Sequence, residues 1–189
     1  MRFDELRPAV LADVRSCVEG IDGAHVDAMA GELAGRSEVF LLGTGRSGKV
    51  LDAMAIRLGH LGIAAHAAGC ADCPAVGRAD LVLVGTGSGA TPAVVRAATA
   101  ASQAGATLAV ITAAPDSPVA RLARTLIHIP APVTPGDGST GLAAGGTPHT
   151  LRSLFEECLM LTCDAICRMV QDRLGLSTDD MQARHAPDQ

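Results

Sequence analysis

The chain has 189 residues, 48% of them hydrophobic but only 2% aromatic, with no Trp or Tyr and a formal net charge of −5. That length suits one domain with a proper core, which must be built from Leu, Val, Ile, Ala and Met. The acidic balance and the lack of stacking side chains exclude a nucleic-acid surface, and no unbroken apolar run reaches the roughly 18 residues of a membrane span.

The opening MRFDELRPAV is charged and helical in character, unlike a signal peptide, so the expected compartment is the cytoplasm. Two helices are predicted over 3–19 and 23–35. Leu6, Val10, Leu11, Val14 and Val18 recur at helical spacing, and Gly20 and Gly23 punctuate the break. A strand over 38–43 runs into Gly43-Thr44-Gly45-Arg46-Ser47-Gly48, followed by a helical pattern over 47–61. Glycines let backbone N–H groups approach an anion, the following helix adds its positive end, and hydroxyls donate without adding charge.

This loop fits G-x-G-x-x-G. A dinucleotide site would also need an acidic residue at the end of the next strand. That strand, 63–67, runs into His66-Ala67-Ala68-Gly69 with no carboxylate before Asp72. The loop is close to a P-loop too, but Val50 stands where a Ser or Thr should meet magnesium. Cys70 and Cys73 form a C-x-x-C, and no second pair or paired His motif completes a metal site.

A third strand, 80–85, leads into the second loop, Gly85-Thr86-Gly87-Ser88-Gly89-Ala90-Thr91, and a helix over 91–104. Strands over 107–112 and 125–129 follow, with a helical pattern over 116–123 between them. Residues 130–149 read as a long loop, hence a lid or mobile segment. A long helix over 150–174 carries Leu151, Leu154, Phe155, Cys158, Leu159, Leu161 and Ile166 on a broad apolar face suited to a subunit interface. Cys158, Cys163 and Cys167 on it read as small core residues. Ser177 begins the tail with a capping signal for a short last helix.

Strands alternating with helices, the strands apolar throughout, predict a three-layer α-β-α sandwich: α/β, with five parallel strands, doubly wound in the flavodoxin-like manner. The chain reads as a single domain over 1–189, with N-terminal helices in 1–36 and a C-terminal helix and tail in 150–189. One glycine loop could simply tighten a turn. Two loops from neighbouring strands meet at the carboxyl edge, where open α/β sheets bind ligands, and so predict a pocket for a phosphorylated small molecule.

Both glycine loops, the segment Val110-Ile111-Thr112 to Asp116-Ser117-Pro118, the run Leu154-Phe155-Glu156 and the tail from Met181 to Arg184-His185-Ala186 carry a resemblance over nearly the whole chain. The sequence resembles the sugar isomerase (SIS) phosphosugar-binding family, and within it the 6-phospho-3-hexuloisomerase branch. That resemblance implies interconversion of D-arabino-hex-3-ulose 6-phosphate and fructose 6-phosphate through an enediol. It implies no metal and no cofactor, and a homotetramer (or homodimer) with sites shared between subunits. By motif position, Gly45, Ser47, Thr86, Gly87, Ser88 and Thr91 would bind the phosphate, Glu156 would be the acid/base, and His185 would reach a neighbouring subunit's site. Taken alone, Glu156 or Glu157 fits a solvated helix charge and His185 an exposed tail residue. His60 and His66 are lesser candidates. The sequence departs from the family pattern at Ala90, where Glu is usual, at Cys73-Pro74 for Thr-Pro, at His149–Ser153 for small residues, and at Ala186–Gln189. The other functions open to it are a non-catalytic phosphosugar sensor and an SIS isomerase of another aldose–ketose phosphate.

Overall fold

Apolar runs too short for helices form the centre of the molecule, and amphipathic segments cover them. A computed structural model describes residues 2–68, 73–133, 148–150 and 153–185. In chain order the elements are α1 (Phe3–Glu19), α2 (Gly23–Ala34), β1 (Glu38–Leu42), α3 (Gly45–His60), β2 (Ala64–Ala67), β3 (Leu81–Thr86), α4 (Pro92–Gln103), β4 (Thr107–Thr112), β5 (Thr125–His128), α5 (Ser153–Leu174) and α6 (Thr178–Ala183). Asp22 caps α2 by accepting from Ala24 N at 2.9 Å. Ser177 and Asp180 cap α6 reciprocally, as the tail sequence predicts.

The five strands form one all-parallel sheet in the order β2-β1-β3-β4-β5. This is the flavodoxin-like order, with its switch point between β1 and β3. Successive side chains alternate between faces. Leu41, Leu83 and Ile111 pack with α2, α3 and α5 in the larger core. Phe40, Val82, Val84 and Val110 pack with Val94, Ala98 and Ala101 of α4 in the smaller one. Cys158, Cys163 and Cys167 are buried in the larger core, as expected of small apolar side chains. Leu42 pairs with Val84, so the segments following β1 and β3 emerge side by side.

Two helix expectations need correction. The 116–123 segment forms only a single 3₁₀ turn, Ala120–Leu122. Its backbone is engaged elsewhere: Val119 N donates to Gly89 O at 3.2 Å and Ser117 Oγ accepts from Ala120 N at 3.3 Å. Chain bound to the second glycine loop in this way cannot extend a helix. The long helix does not take in residue 150: residues 148–150 are bends, and the described helix runs Ser153–Leu174. The lid reading of 130–149 falls mostly on 134–147, outside the described residues, as do Cys70, Asp72 and the last four positions. Among the described residues no helix is long and apolar enough to cross a membrane.

Candidate active site

The first glycine loop turns β1 into α3 through a close backbone crossing. A Cβ on Gly43 would lie 3.0 Å from Gly48 Cα, and one on Gly48 would lie 3.0 Å from Gly43 O. Side chains at either position would push the loop and helix apart. Thr44 stands at the N-cap of α3 without a side-chain capping bond, as Thr91 does for α4. The first N–H groups of a helix have no partner within it. Two helix N-termini beside parallel strands therefore offer backbone donors and positive dipole ends to an anion.

The second loop is fixed more tightly. Gly89 has φ +58°, and a Cβ there would sit 1.9 Å from Ser117 Oγ. Thr86, buried, accepts from Gly89 N at 3.2 Å through Oγ1, and Ser88 Oγ accepts from Ala90 N at 3.4 Å. Thr112 Oγ1 donates to Gly87 O at 3.3 Å, and Ala113 N donates to the same carbonyl at 3.2 Å. Thr86 thus shapes the loop as well as facing the cleft.

Above both loops lies the N-terminal turn of α5. Leu154, Phe155 and Cys158 bury one of its faces, and Phe155 Cδ1 would lie 3.3 Å from a Cβ on Gly87. That packing turns Glu156 toward the loops. The three segments enclose a cleft of about 780 Å³ whose walls include Gly45, Ser47, Thr86, Gly87, Ser88, Thr91 and Glu156. The predicted phosphate positions and the predicted acid/base therefore share one cavity. Glu156 has 14% of its side chain exposed, and Arg46 Nε donates to its Oε2 at 2.5 Å.

His185 lies elsewhere. Its ring is 4.9 Å, centroid to centroid, from that of His60 at the far end of α3. Both line a separate cleft of about 460 Å³ with Arg57, Asp164 and Arg168. The length of α3, about 22 Å at 1.5 Å per residue, separates that histidine pair from the Glu156 cleft. Desolvation, with His185 and Arg57 nearby, holds His60 below its ordinary value of 6.5. His66, on β2, places Nε2 3.0 Å from Glu38 Oε1, away from either cleft lining.

The family model for the SIS domain matches residues 32–147, from the end of α2 past β5. The chain belongs to the SIS domain family. It is 36% identical over 178 residues to a 3-hexulose-6-phosphate isomerase of Mycobacterium gastri, covering 92% of this chain and 85% of that one. It is 30% identical over 186 residues to the enzyme of the same name from Bacillus subtilis, covering 98% of both. A crystal structure of a hypothetical protein superposes with a TM-score of 0.85 at 26% identity, covering 97% of this chain and 96% of that one.

One cleft residue of this SIS domain, Arg46, has no role in the sequence reading; it is the one cation inside the first glycine loop. Thr150 and Ser153, from the stretch that departs from the family pattern, and Glu157, beside Glu156, also line the cleft. At its edge His149, with 3% of its side chain exposed, places Nδ1 2.9 Å from Glu157 Oε2 and Nε2 3.5 Å from Asp13 Oδ2.

Proposed function

We propose that this SIS domain is a phosphosugar isomerase interconverting D-arabino-hex-3-ulose 6-phosphate and fructose 6-phosphate. The observation that carries the proposal is Glu156, a largely buried carboxylate set in the same cleft as two helix N-termini without side-chain caps. The names of the M. gastri and B. subtilis relatives support the choice of sugar.

The phosphate would seat on the amides opening α3 and α4 and on the hydroxyls of Ser47, Ser88 and Thr91. Charge-assisted bonds of this kind are the strong ones, so the phosphate anchors the sugar while its carbon chain extends toward α5. Glu156 takes the proton from C3 of fructose 6-phosphate. The C3–H electrons form the C2=C3 double bond of the enediol, and the former carbonyl oxygen at C2 gains a proton. The carboxyl then returns its proton to C2, the hydroxyl on C3 loses one, and the carbonyl stands at C3. One carboxylate serves both carbons because they are adjacent. Arg46, 68% exposed and paired with Glu156, can turn toward the substrate oxygens as the sugar displaces it.

The proton exchanged between oxygens needs a second group. In this reading it is His185 of another subunit, since His185 of the same chain lies at the opposite end of α3. The functional protein is then a homo-oligomer, a tetramer by the family resemblance, working in the cytoplasm. Incubation with hex-3-ulose 6-phosphate, followed by NMR, tests the assignment. Fructose 6-phosphate should form with wild-type protein and not with Glu156→Gln. Tight binding of the sugar phosphate without turnover would instead identify a sensor.

A further inference from the structure

His149 precedes the first described residue of α5, Ser153, by four positions, and the surroundings of its imidazole bear on the chemistry. His149 is among the most enclosed polar side chains of the molecule, yet it lies in no regular element. Its two ring nitrogens face carboxylates from different parts of the chain. Nδ1 is 2.9 Å from Glu157 Oε2, within the first turns of α5, and Nε2 is 3.5 Å from Asp13 Oδ2 on α1. Asp13 is itself mostly buried, with 16% of its side chain exposed.

We propose that His149 is a positioning residue, which, clamped between Asp13 and Glu157, fixes the opening turn of α5 and thereby aims the Glu156 carboxylate into the cleft. The inference rests on Glu156 being the base. A helix terminus frays unless its first turn is tied down. The buried face of this turn is held by Leu154, Phe155 and Cys158, which sets the height of the helix over the sheet. Rotation of the turn about its axis is controlled from the other side, and His149 bridging to α1 supplies that restraint. Arg46 cannot, because its guanidinium is largely in water and an exposed ion pair constrains weakly. These contacts are close approaches of charge rather than aligned hydrogen bonds: Asp13 Oδ2 and Glu157 Oε2 are buried with no hydrogen-bond partner among the described residues, and the imidazole is the polar group set between them. Without the ring, Asp13 and Glu157 would face each other across a poorly hydrated gap, and like charges there would push α1 and α5 apart.

Full-length His149→Ala, His149→Gln, Asp13→Asn and Glu156→Gln are compared for turnover of the hexulose phosphate, KM, and the number of fructose 6-phosphate sites by calorimetry. Misplacing a base by about 1 Å costs up to about a hundredfold. His149→Ala should therefore lose at least about tenfold in kcat per binding site, with KM within about twofold. Asp13→Asn should lose less, and Gln, which keeps a polar side chain between the two carboxylates, should recover part of the loss. A purely structural role would lower the number of sites or the melting temperature and leave turnover per site unchanged, overturning the inference. If His149→Ala does not fold, Asp13→Asn and His149→Gln carry the same comparison. Turnover retained by Glu156→Gln would overturn the base assignment and this inference together. Turnover lost there but undiminished per site in the His149 and Asp13 variants would overturn this inference alone.

Discussion

Single residues set the shape of the proposed phosphate cradle more than its composition suggests. Gly89 shows this best. Its φ of +58° disfavours any side chain, and the added Cβ would collide with Ser117 Oγ. Backbone strain and overpacking each cost about 1–3 kcal/mol. Gly89→Ala should destabilise the fold by about 2–4 kcal/mol in denaturant titration and weaken sugar-phosphate binding, because the loop it distorts also orders Ser88. A midpoint within error of wild type would mean that the loop relaxes freely. Glycine at 89 could be read from sequence as a loop residue. That it faces Ser117 could not, because the contact depends on how a later segment folds back. Arg46 was legible in the motif, but its bond to Glu156 depends on α5 crossing over the first loop, a relation that spacing does not encode.

At the scale of elements, two helices present the proposed anion site and a third presents the proposed base. The hydroxyls of Ser47 at the start of α3 and Ser88 before α4 each add a donor to the backbone amides. A hydrogen bond to a charged group contributes about 1.5–3 kcal/mol. The Ser47→Ala, Ser88→Ala double variant should therefore bind fructose 6-phosphate more weakly by roughly a hundredfold or more, with the melting temperature of the free protein little changed. Undiminished affinity would remove the phosphate from these loops. The strands were readable to within a residue or two because buried parallel strands such as 81–86 and 107–112 are apolar on both faces, and little else looks like that over six residues. The 116–123 segment misled because its residue pattern permits a helix, while Val119 N–H is bound to Gly89 O. The approach of His149 to Asp13 of α1 and Glu157 of α5 joins distant stretches of sequence, so no local signal announced it.

The whole molecule poses one further question, because the cleft with Glu156 and the cleft with His185 lie at opposite ends of α3. In the proposed oligomer they meet across subunits. Leu11, Ile56 and Leu161 remain exposed on α1, α3 and α5, apolar surface consistent with such packing. Mixing Glu156→Gln and His185→Ala subunits, each inactive alone, should restore partial activity after co-refolding, since some sites then draw an intact Glu156 and an intact His185 from different chains. No recovery, or full activity of His185→Ala alone, would remove His185 from the chemistry.

The most direct test follows the substrate's carbon-bound protons in heavy water. Fructose 6-phosphate incubated with the wild-type protein should exchange its C3 hydrogen for deuterium, seen by NMR, as the hex-3-ulose phosphate forms; Glu156→Gln should still bind the sugar and leave C3 untouched. Exchange at C1 instead, or C3 exchange that persists in Glu156→Gln, would contradict the claim that Glu156 moves a proton between C2 and C3.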